Sequence, residues 1–306
     1  IISEYAKNNS KIIPVWARPK PEGWMGKNWA CMEGYKKASG ELLLFTDADT
    51  THSSKVISLA VSHLLCFNLD ALTVIPKLLS IDFWTKITLP MLSTFLHTRF
   101  SAIRVNDPSK KTGYFFGSFF ILKQETYKGV GTHEAVKQEI IEDGALGKKV
   151  KDSDYKMKMV RGDHLIEAIW ARDKSTLWNA LKRLMIPLYL QNPGISIGIF
   201  FAVLFLLFMP FPILIYSSSF MFSTFSSSLL FYSAFTASVL IYIGAVIEVT
   251  KGLQSKLIYA VFGPIGSLVV VLGFLSGLIQ AKKDASVSWR GRKYSMKDHI
   301  QDSIRI

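Results

Sequence analysis

Between Arg183 and Glu248 the chain runs for 64 consecutive positions without Asp, Glu, Lys, Arg or His. A second charge-free run of 25 extends from Leu257 to Ala281. A helix crosses the hydrocarbon core of a bilayer with about 20 predominantly apolar residues, so these runs hold candidate spans at about 195–216, 229–247 and 257–279. The chain of 306 residues places all 36 of its Lys and Arg and all 23 of its Asp and Glu outside them. That division excludes a purely water-soluble protein and a disordered one. It predicts a water-facing catalytic module over 1–183, a transmembrane region of two or three spans over 184–281, and a basic tail over 282–306. Pro210 and Pro212 interrupt the first span. Three complete crossings would also carry the basic tail to the outer face, against the positive-inside rule, so the first segment is the candidate for a re-entrant one. Gly194-x-x-x-Gly198 and Gly273-x-x-x-Gly277 offer close helix contacts.

The formal net charge of +13 suits an anionic partner. Beside long apolar spans, the negatively charged cytoplasmic leaflet is the expected one rather than nucleic acid. The placement that follows is a multi-pass protein of the cell membrane with its catalytic module in the cytoplasm. The only cysteines, Cys31 and Cys66, make neither a C-x-x-C nor a disulfide framework, which fits a reducing compartment. The opening Ile1-Ile-Ser-Glu-Tyr-Ala-Lys reads at once as helix, so the first strands of the fold are expected upstream of it.

Along the module, Lys11–Trp16 reads as a short strand and residues 18–27 as a Pro- and Gly-punctuated loop. Asn28–Ser39 has helical spacing, and Leu42–Thr46 is a continuous apolar run of the kind found in buried parallel strands. A helix over Ser53–Phe67 and a strand over Ala71–Pro76 continue the alternation. The pattern predicts an α/β fold, a mostly parallel sheet flanked by helices, whose ligands sit at the carboxyl ends of the strands. Residues 82–100 read as a helix that either covers the sheet or lies on the membrane. Gly113–Leu122 reads as a strand, Tyr127–Gly131 as a turn, His133–Lys149 as a helix and Tyr155–Val160 as a strand. Leu177–Met185 forms a basic amphipathic lead-in to the bilayer.

Two places carry chemistry. Asp47-Ala-Asp49 follows directly on a buried strand, where two carboxylates can face one pocket and hold Mg²⁺ or Mn²⁺ against a diphosphate. Such pairs also occur as solvated turns, but here Gly23-Trp-Met-Gly-Lys27-Asn28 precedes them and can present backbone N–H groups and one ammonium to phosphates. It is not a Walker loop. The second place is Glu142-Asp143. By itself this pair reads as an exposed helix end, yet a semi-buried carboxylate there can act as a general base. His52 and His164 read as surface residues.

The run Gly23-Trp-Met-Gly-Lys-Asn-Trp-Ala-Cys through Gly34-Tyr and Ala38-Ser-Gly-Glu to Leu42-Leu-Leu-Phe-Thr-Asp-Ala-Asp49 closely resembles the core of glycosyltransferase family 2 enzymes with the GT-A fold. Gly117-Ser-Phe-Phe-Ile-Leu, Tyr127-x-x-Val-Gly-x-His-Glu-Ala-Val136 and Glu142-Asp143 extend the match. Trp289-Arg-Gly-Arg-x-Tyr294 is similar to the tail of a membrane-anchored branch that includes hopanoid- and carotenoid-associated enzymes. The resemblance implies an inverting glycosyltransferase that moves a sugar from a nucleotide-diphosphate donor to a lipid-like acceptor. It implies that Asp47, Gly26, Lys27 and Gly117 bind the donor, that Asp49 with Asp47 holds a divalent cation, and that Asp143, beside Glu142, is the catalytic base. His133, Glu134 and Trp178 would lie on the acceptor side. The base-reading first strand of such domains has no counterpart here, and the Gln-x-x-Arg-Trp motif of processive synthases is absent. A polyprenyl-phosphate glycosyltransferase is the alternative within the class. A non-catalytic basic membrane protein that binds anionic lipid is the alternative outside it.

Overall fold

The computed structural model describes residues 1–284, 286–289 and 292–295. The first part of the chain contains α1 (Ile2–Asn8), α2 (Gly26–Tyr35), β1 (Leu42–Phe45), β2 (Thr50–His52), α3 (Val56–Cys66), β3 (Ala71–Ile75), β4 (Lys77–Leu78), α4 (Phe83–Phe100) and α5 (Ala102–Asn106). It continues through β5 (Phe120–Lys123), α6 (Gln124–Gly129), α7 (Glu142–Asp152), β6 (Met157–Arg161), β7 (Ile166–Ala168) and α8 (Lys174–Gln191). After these come α9 (Pro193–Val203), α10 (Pro210–Ser218), α11 (Phe225–Ile247), α12 (Ile258–Val261), α13 (Gly263–Asp284) and a hairpin of β8 (Ser286–Trp289) and β9 (Arg292–Ser295). The expected basic tail beyond Ser295, and positions 285, 290 and 291, lie outside the described residues.

The fold is mixed α/β, but the expectation of a mostly parallel sheet is corrected. The main sheet has the order β1-β5-β3-β6, and only β3 and β6 pair in parallel. β5 runs antiparallel to both β1 and β3. The reason lies in the approach. Residues 113–119 cross the carboxyl ends of β1 and β3, where the Asp47 N–H donates to the Gly117 carbonyl at 2.9 Å and Val74 N–H to that of Phe119 at 3.0 Å. A strand entering at those ends can only run back between them, so the strand expected over Gly113–Leu122 begins at Phe120. A smaller sheet, β2-β7-β4, flanks it.

Two further expectations change. Lys11–Trp16 forms no strand; the chain is held just beyond it, where Arg18 forks onto Glu33 at 2.8 and 2.9 Å. The helix expected over His133–Lys149 is interrupted. A 3₁₀ turn covers His133–Val136, and α7 starts only at Glu142. The carbonyls that would continue the helix are already taken: Asn28 Nδ2 donates to those of Val136 (2.6 Å) and Glu139 (3.0 Å), and Met25 N–H donates to that of Lys137 (2.7 Å).

Apolar packing joins the two parts of the chain. Leu89, Met91 and Leu92 of α4 share one buried cluster with Leu181 and Met185 of α8 and Val270 and Phe274 of α13, so α4 is built into the helical bundle. α8 passes through position 183 without a break. Gly273 and Gly277 of α13 lie against Leu181 and Met185, the close contact their spacing suggested; Gly194 and Gly198 face no other helix. Two helices, Phe225–Gly252 and Gly263–Lys283, are long and apolar enough to cross a membrane. Pro193–Phe208 and Pro210–Ser218 make a third if taken as one span, bent by 45° at the break before Pro210. On α11, Leu229, Tyr232, Leu240, Ile243 and Ile247 point outward, an apolar surface that only lipid or another protein tolerates.

α7 is set by backbone contact. A Cβ on Gly147 would lie 2.6 Å from the Phe115 nitrogen, and one on Gly144 2.7 Å from the Tyr114 ring. Neither helix nor loop can give way without moving the other. Gly147→Ala should therefore destabilise the fold by roughly 1–3 kcal/mol, read as a lowered midpoint of thermal unfolding in detergent or bilayers.

Candidate active site

Three segments meet at the carboxyl ends of β1 and β3. The apolar run of β1 delivers Asp47 to the edge of the sheet. The first turn of α2 delivers Lys27, which follows Gly26. The start of α7 delivers Glu142 and Asp143. Between them lies Gly117, whose missing side chain is the centre of the arrangement. A Cβ there would sit 2.7 Å from Asp143 Oδ2, 2.9 Å from Asp47 Oδ2 and 3.1 Å from Lys27 Nζ. Lys27 Nζ is 2.7 Å from Asp47 Oδ1 and 2.5 Å from Glu142 Oε1. Glu142 is buried, with 3% of its side chain exposed, whereas Lys27 and Asp47 each keep 32% and so open to solvent.

The electrostatics follow from this burial. Burial alone would lower the Lys27 pKa, but Glu142, Asp143 and Asp47 together outweigh it and hold the ammonium well above the ordinary lysine value. Burial, and then Asp143, push Glu142 up to about 7 against the pull of Lys27. Burial also raises Asp143, restrained by Lys27 and by the Gly144 N–H that donates to its Oδ1 at 2.8 Å. Two adjacent carboxylates at a helix start with elevated pKa values, one locked to an ammonium and the other facing a bare Cα, make a poised proton acceptor beside a fixed cation.

The remaining expected residues are placed differently. Asp49 is exposed in the turn that leads to β2. His133 is 1% exposed, its ring against Phe45 and Tyr127. Its backbone N–H donates to the Tyr127 hydroxyl at 3.0 Å, and that hydroxyl shares a second hydrogen bond with Nδ1 at 2.6 Å. Burial, then Lys27, hold the His133 pKa down to about 3, so the ring is neutral. Glu134 is exposed, and Trp178 is half-buried on α8. His52, expected at the surface, is half-buried and braces the turn after β1, with Nε2 3.3 Å from Thr46 Oγ1, Thr50 Oγ1 and the Ser118 carbonyl. His164 is exposed, as expected.

Sequence reasoning gave no role to Asn28, Tyr114 or Cys31. Asn28 is the clamp between α2 and residues 136–139. Tyr114 is half-buried against Gly144; desolvation and then Asp143 raise its pKa. Cys31 is a free thiol pushed up to about 12 by burial and by Glu142. Asn28 had a signal, its place beside Lys27. The others had none, because their role comes from neighbours distant in the chain.

The family model described as "Glycosyl transferase family 21" matches residues 2–301. The chain belongs to glycosyl transferase family 21. No curated protein matches it. The expected class, glycosyltransferase, therefore stands, while the assignment to family 2 is replaced. Short motifs such as Asp-x-Asp and Glu-Asp report the chemistry of a site, whereas the family-21 match spans the whole module and the apolar tail. In this glycosyltransferase the motif residues Lys27, Asp47, Gly117, Glu142 and Asp143 form one cluster. Among the described residues, no three His, Cys, Asp or Glu side chains stand ready as ligands of one metal.

Lys27→Met leaves two carboxylates without their cation and should destabilise the protein by about 3–5 kcal/mol, much of it recovered by adding Glu142→Gln. The sign with pH is defined. A carboxyl whose pKa is raised in the fold contributes stability when neutral, a contribution complete below its ordinary 4.5 and lost as pH rises through about 7. The defect in Lys27→Met should therefore be larger at pH 8 than at pH 5, as thermal melts at the two pH values would show.

Proposed function

We propose that this family-21 protein is an inverting transferase that moves a sugar from a nucleotide-diphosphate donor to a lipid-like acceptor at the cytoplasmic face of the membrane. The convergence of Asp47, Lys27 and Asp143 on the open Cα of Gly117 carries this reading. In it, the donor's sugar lies over Gly117, where any side chain would collide with both carboxylates. Lys27 donates hydrogen bonds to the diphosphate. Asp143 takes the proton of the acceptor hydroxyl as the acceptor oxygen bonds to the anomeric carbon and the bond from that carbon to the diphosphate oxygen breaks. Glu134 and Trp178 are assigned to the acceptor side on the family 2 resemblance, with His133 packed beneath.

A diphosphate meets a difficulty here, since Asp47, Glu142 and Asp143 surround a single ammonium. A divalent cation answers it. Carboxylates are hard oxygen donors, and Mg²⁺ characteristically takes one or two of them together with substrate phosphate oxygens and water, so the absence of a third protein ligand does not count against the fit. Asp49, exposed at the turn, and Asp47 would hold it. Bound there, the ion would offset the charge of the departing diphosphate.

Asp143→Asn should lower kcat by roughly 10²–10⁴-fold with little change in the donor KM, measured as nucleoside diphosphate release from a panel of UDP- and GDP-hexoses in the presence of membrane lipid. A mild effect would instead indicate an acceptor that is already anionic, such as a polyprenyl phosphate. Because burial raises the Asp143 pKa, wild-type kcat/KM should fall with decreasing pH from above the ordinary carboxylate range.

Nucleoside diphosphates with Mg²⁺ or Mn²⁺ should raise the melting temperature of the wild type, and Asp49→Ala should abolish the rise. Binding that depends on salt but is indifferent to Asp47 and Asp49 would favour a basic lipid-binding protein with no transferase chemistry.

A further inference from the structure

The two loops that bear the site are packed directly onto the helices that lead into the membrane. Met25, two residues before Lys27, and Ile140, two before Glu142, are 3% exposed and form one buried cluster with Ile186 of α8 (1%) and Ala281 of α13 (3%). Ile141, Tyr189 and Leu190 pack around it. Tyr189 belongs also to the large cluster of the bundle, so the two apolar regions are continuous. The loops are tied to each other by the Met25–Lys137 hydrogen bond and by both bonds from Asn28. Ile186 packs against this unit through Met25 and Ile140. The preceding turns of α8 also pack on α13, with Leu181 and Met185 against Gly273 and Gly277.

We propose that Ile186 is a positioning residue for the transfer reaction: through Met25 and Ile140 it holds Lys27 and the Glu142–Asp143 pair in register over Gly117, so that the seating of α8 and α13 in the bilayer sets the geometry of the site. The membrane helices are then part of the reacting apparatus and not only its anchor. This rests on the transferase reading above. A displacement of about 1 Å at a reacting group can cost as much as 10²-fold in rate, and Ile186→Ala removes the only α8 side chain that is fully buried in this cluster.

The test uses the full chain in bilayers, with Cys66→Ser as background so that Cys31, beneath the site, is the single thiol. Ile186→Ala is compared with Leu181→Ala, which opens a similar cavity on the α13 side. Two quantities are read: kcat and KM for nucleoside diphosphate release from the UDP- and GDP-hexose panel, and the rate of Cys31 alkylation by N-ethylmaleimide. Ile186→Ala should lower kcat roughly tenfold with donor KM within about twofold, and should speed Cys31 alkylation several-fold. Leu181→Ala should leave the alkylation rate near that of the wild type. Wild-type kcat and alkylation rate in Ile186→Ala, or equal changes in both variants, would overturn the proposal. If Ile186→Ala does not fold, Ile186→Val should show the same pattern with smaller changes, and a Val variant identical to wild type in both readings overturns it as well. Should the wild type turn over no donor, the transferase reading fails, while the alkylation comparison still decides whether Ile186 holds the loops.

Discussion

A single ammonium set among three carboxylates is the constraint on which the site depends. Glu142 is almost wholly removed from water, and an unpaired carboxylate there would be strongly destabilising. Lys27 makes the arrangement tolerable by reaching Glu142 and Asp47 together. For that to happen α2 must begin where it does, which the Asn28 clamp ensures, and α7 must begin at Glu142. The same clamp occupies the carbonyls at 136 and 139, and the Met25 N–H that at 137, which a longer helix would need. Local helix propensity yields here to a tertiary demand, and the result is a helix start whose first two residues are the carboxylates.

Two seams of glycine transmit position from one part of the molecule to another. Gly144 and Gly147 bring α7 onto residues 114 and 115, Gly147 against their backbone and Gly144 against the Tyr114 ring. Gly273 and Gly277 bring α13 onto α8, Gly273 against the Leu181 side chain and Gly277 against Met185 and the Lys182 backbone. Between the seams lies the small cluster of Met25, Ile140, Ile186 and Ala281. Backbone contacts leave little slack compared with those of long side chains, so a shift in the bundle has a short, stiff route to the charged residues.

Much of the fold was legible along the chain because its signals are local. The runs Leu42–Phe45 and Ala71–Ile75 are strands, the spacing after Gly26 is helical, and the charge-free stretches hold most of the two helices that are long and apolar enough to cross a membrane, with the bend before Pro210. The failures were non-local. Nothing near Phe120 reveals that β5 runs against its neighbours, because direction depends on which end of the sheet the preceding loop crosses. Nothing near Val136 reveals that its carbonyl is claimed by a side chain 108 positions earlier. Glu142-Asp143 read by itself as an exposed helix end, since burial is a property of what packs over a residue.

The sequence by itself determined the division into a charged module and an apolar tail, the residue types able to handle a diphosphate and a proton, and membership of a glycosyltransferase class. Those are matters of composition and short spacing. Only the tertiary structure decided that Lys27, Asp47, Gly117 and Asp143 share one small space, that His133 is a buried neutral ring, and that the loops bearing the site rest against α8 and α13. Distances across a site and the pKa values they produce depend on long-range packing, and a linear order of residues does not encode packing until the chain has closed on itself.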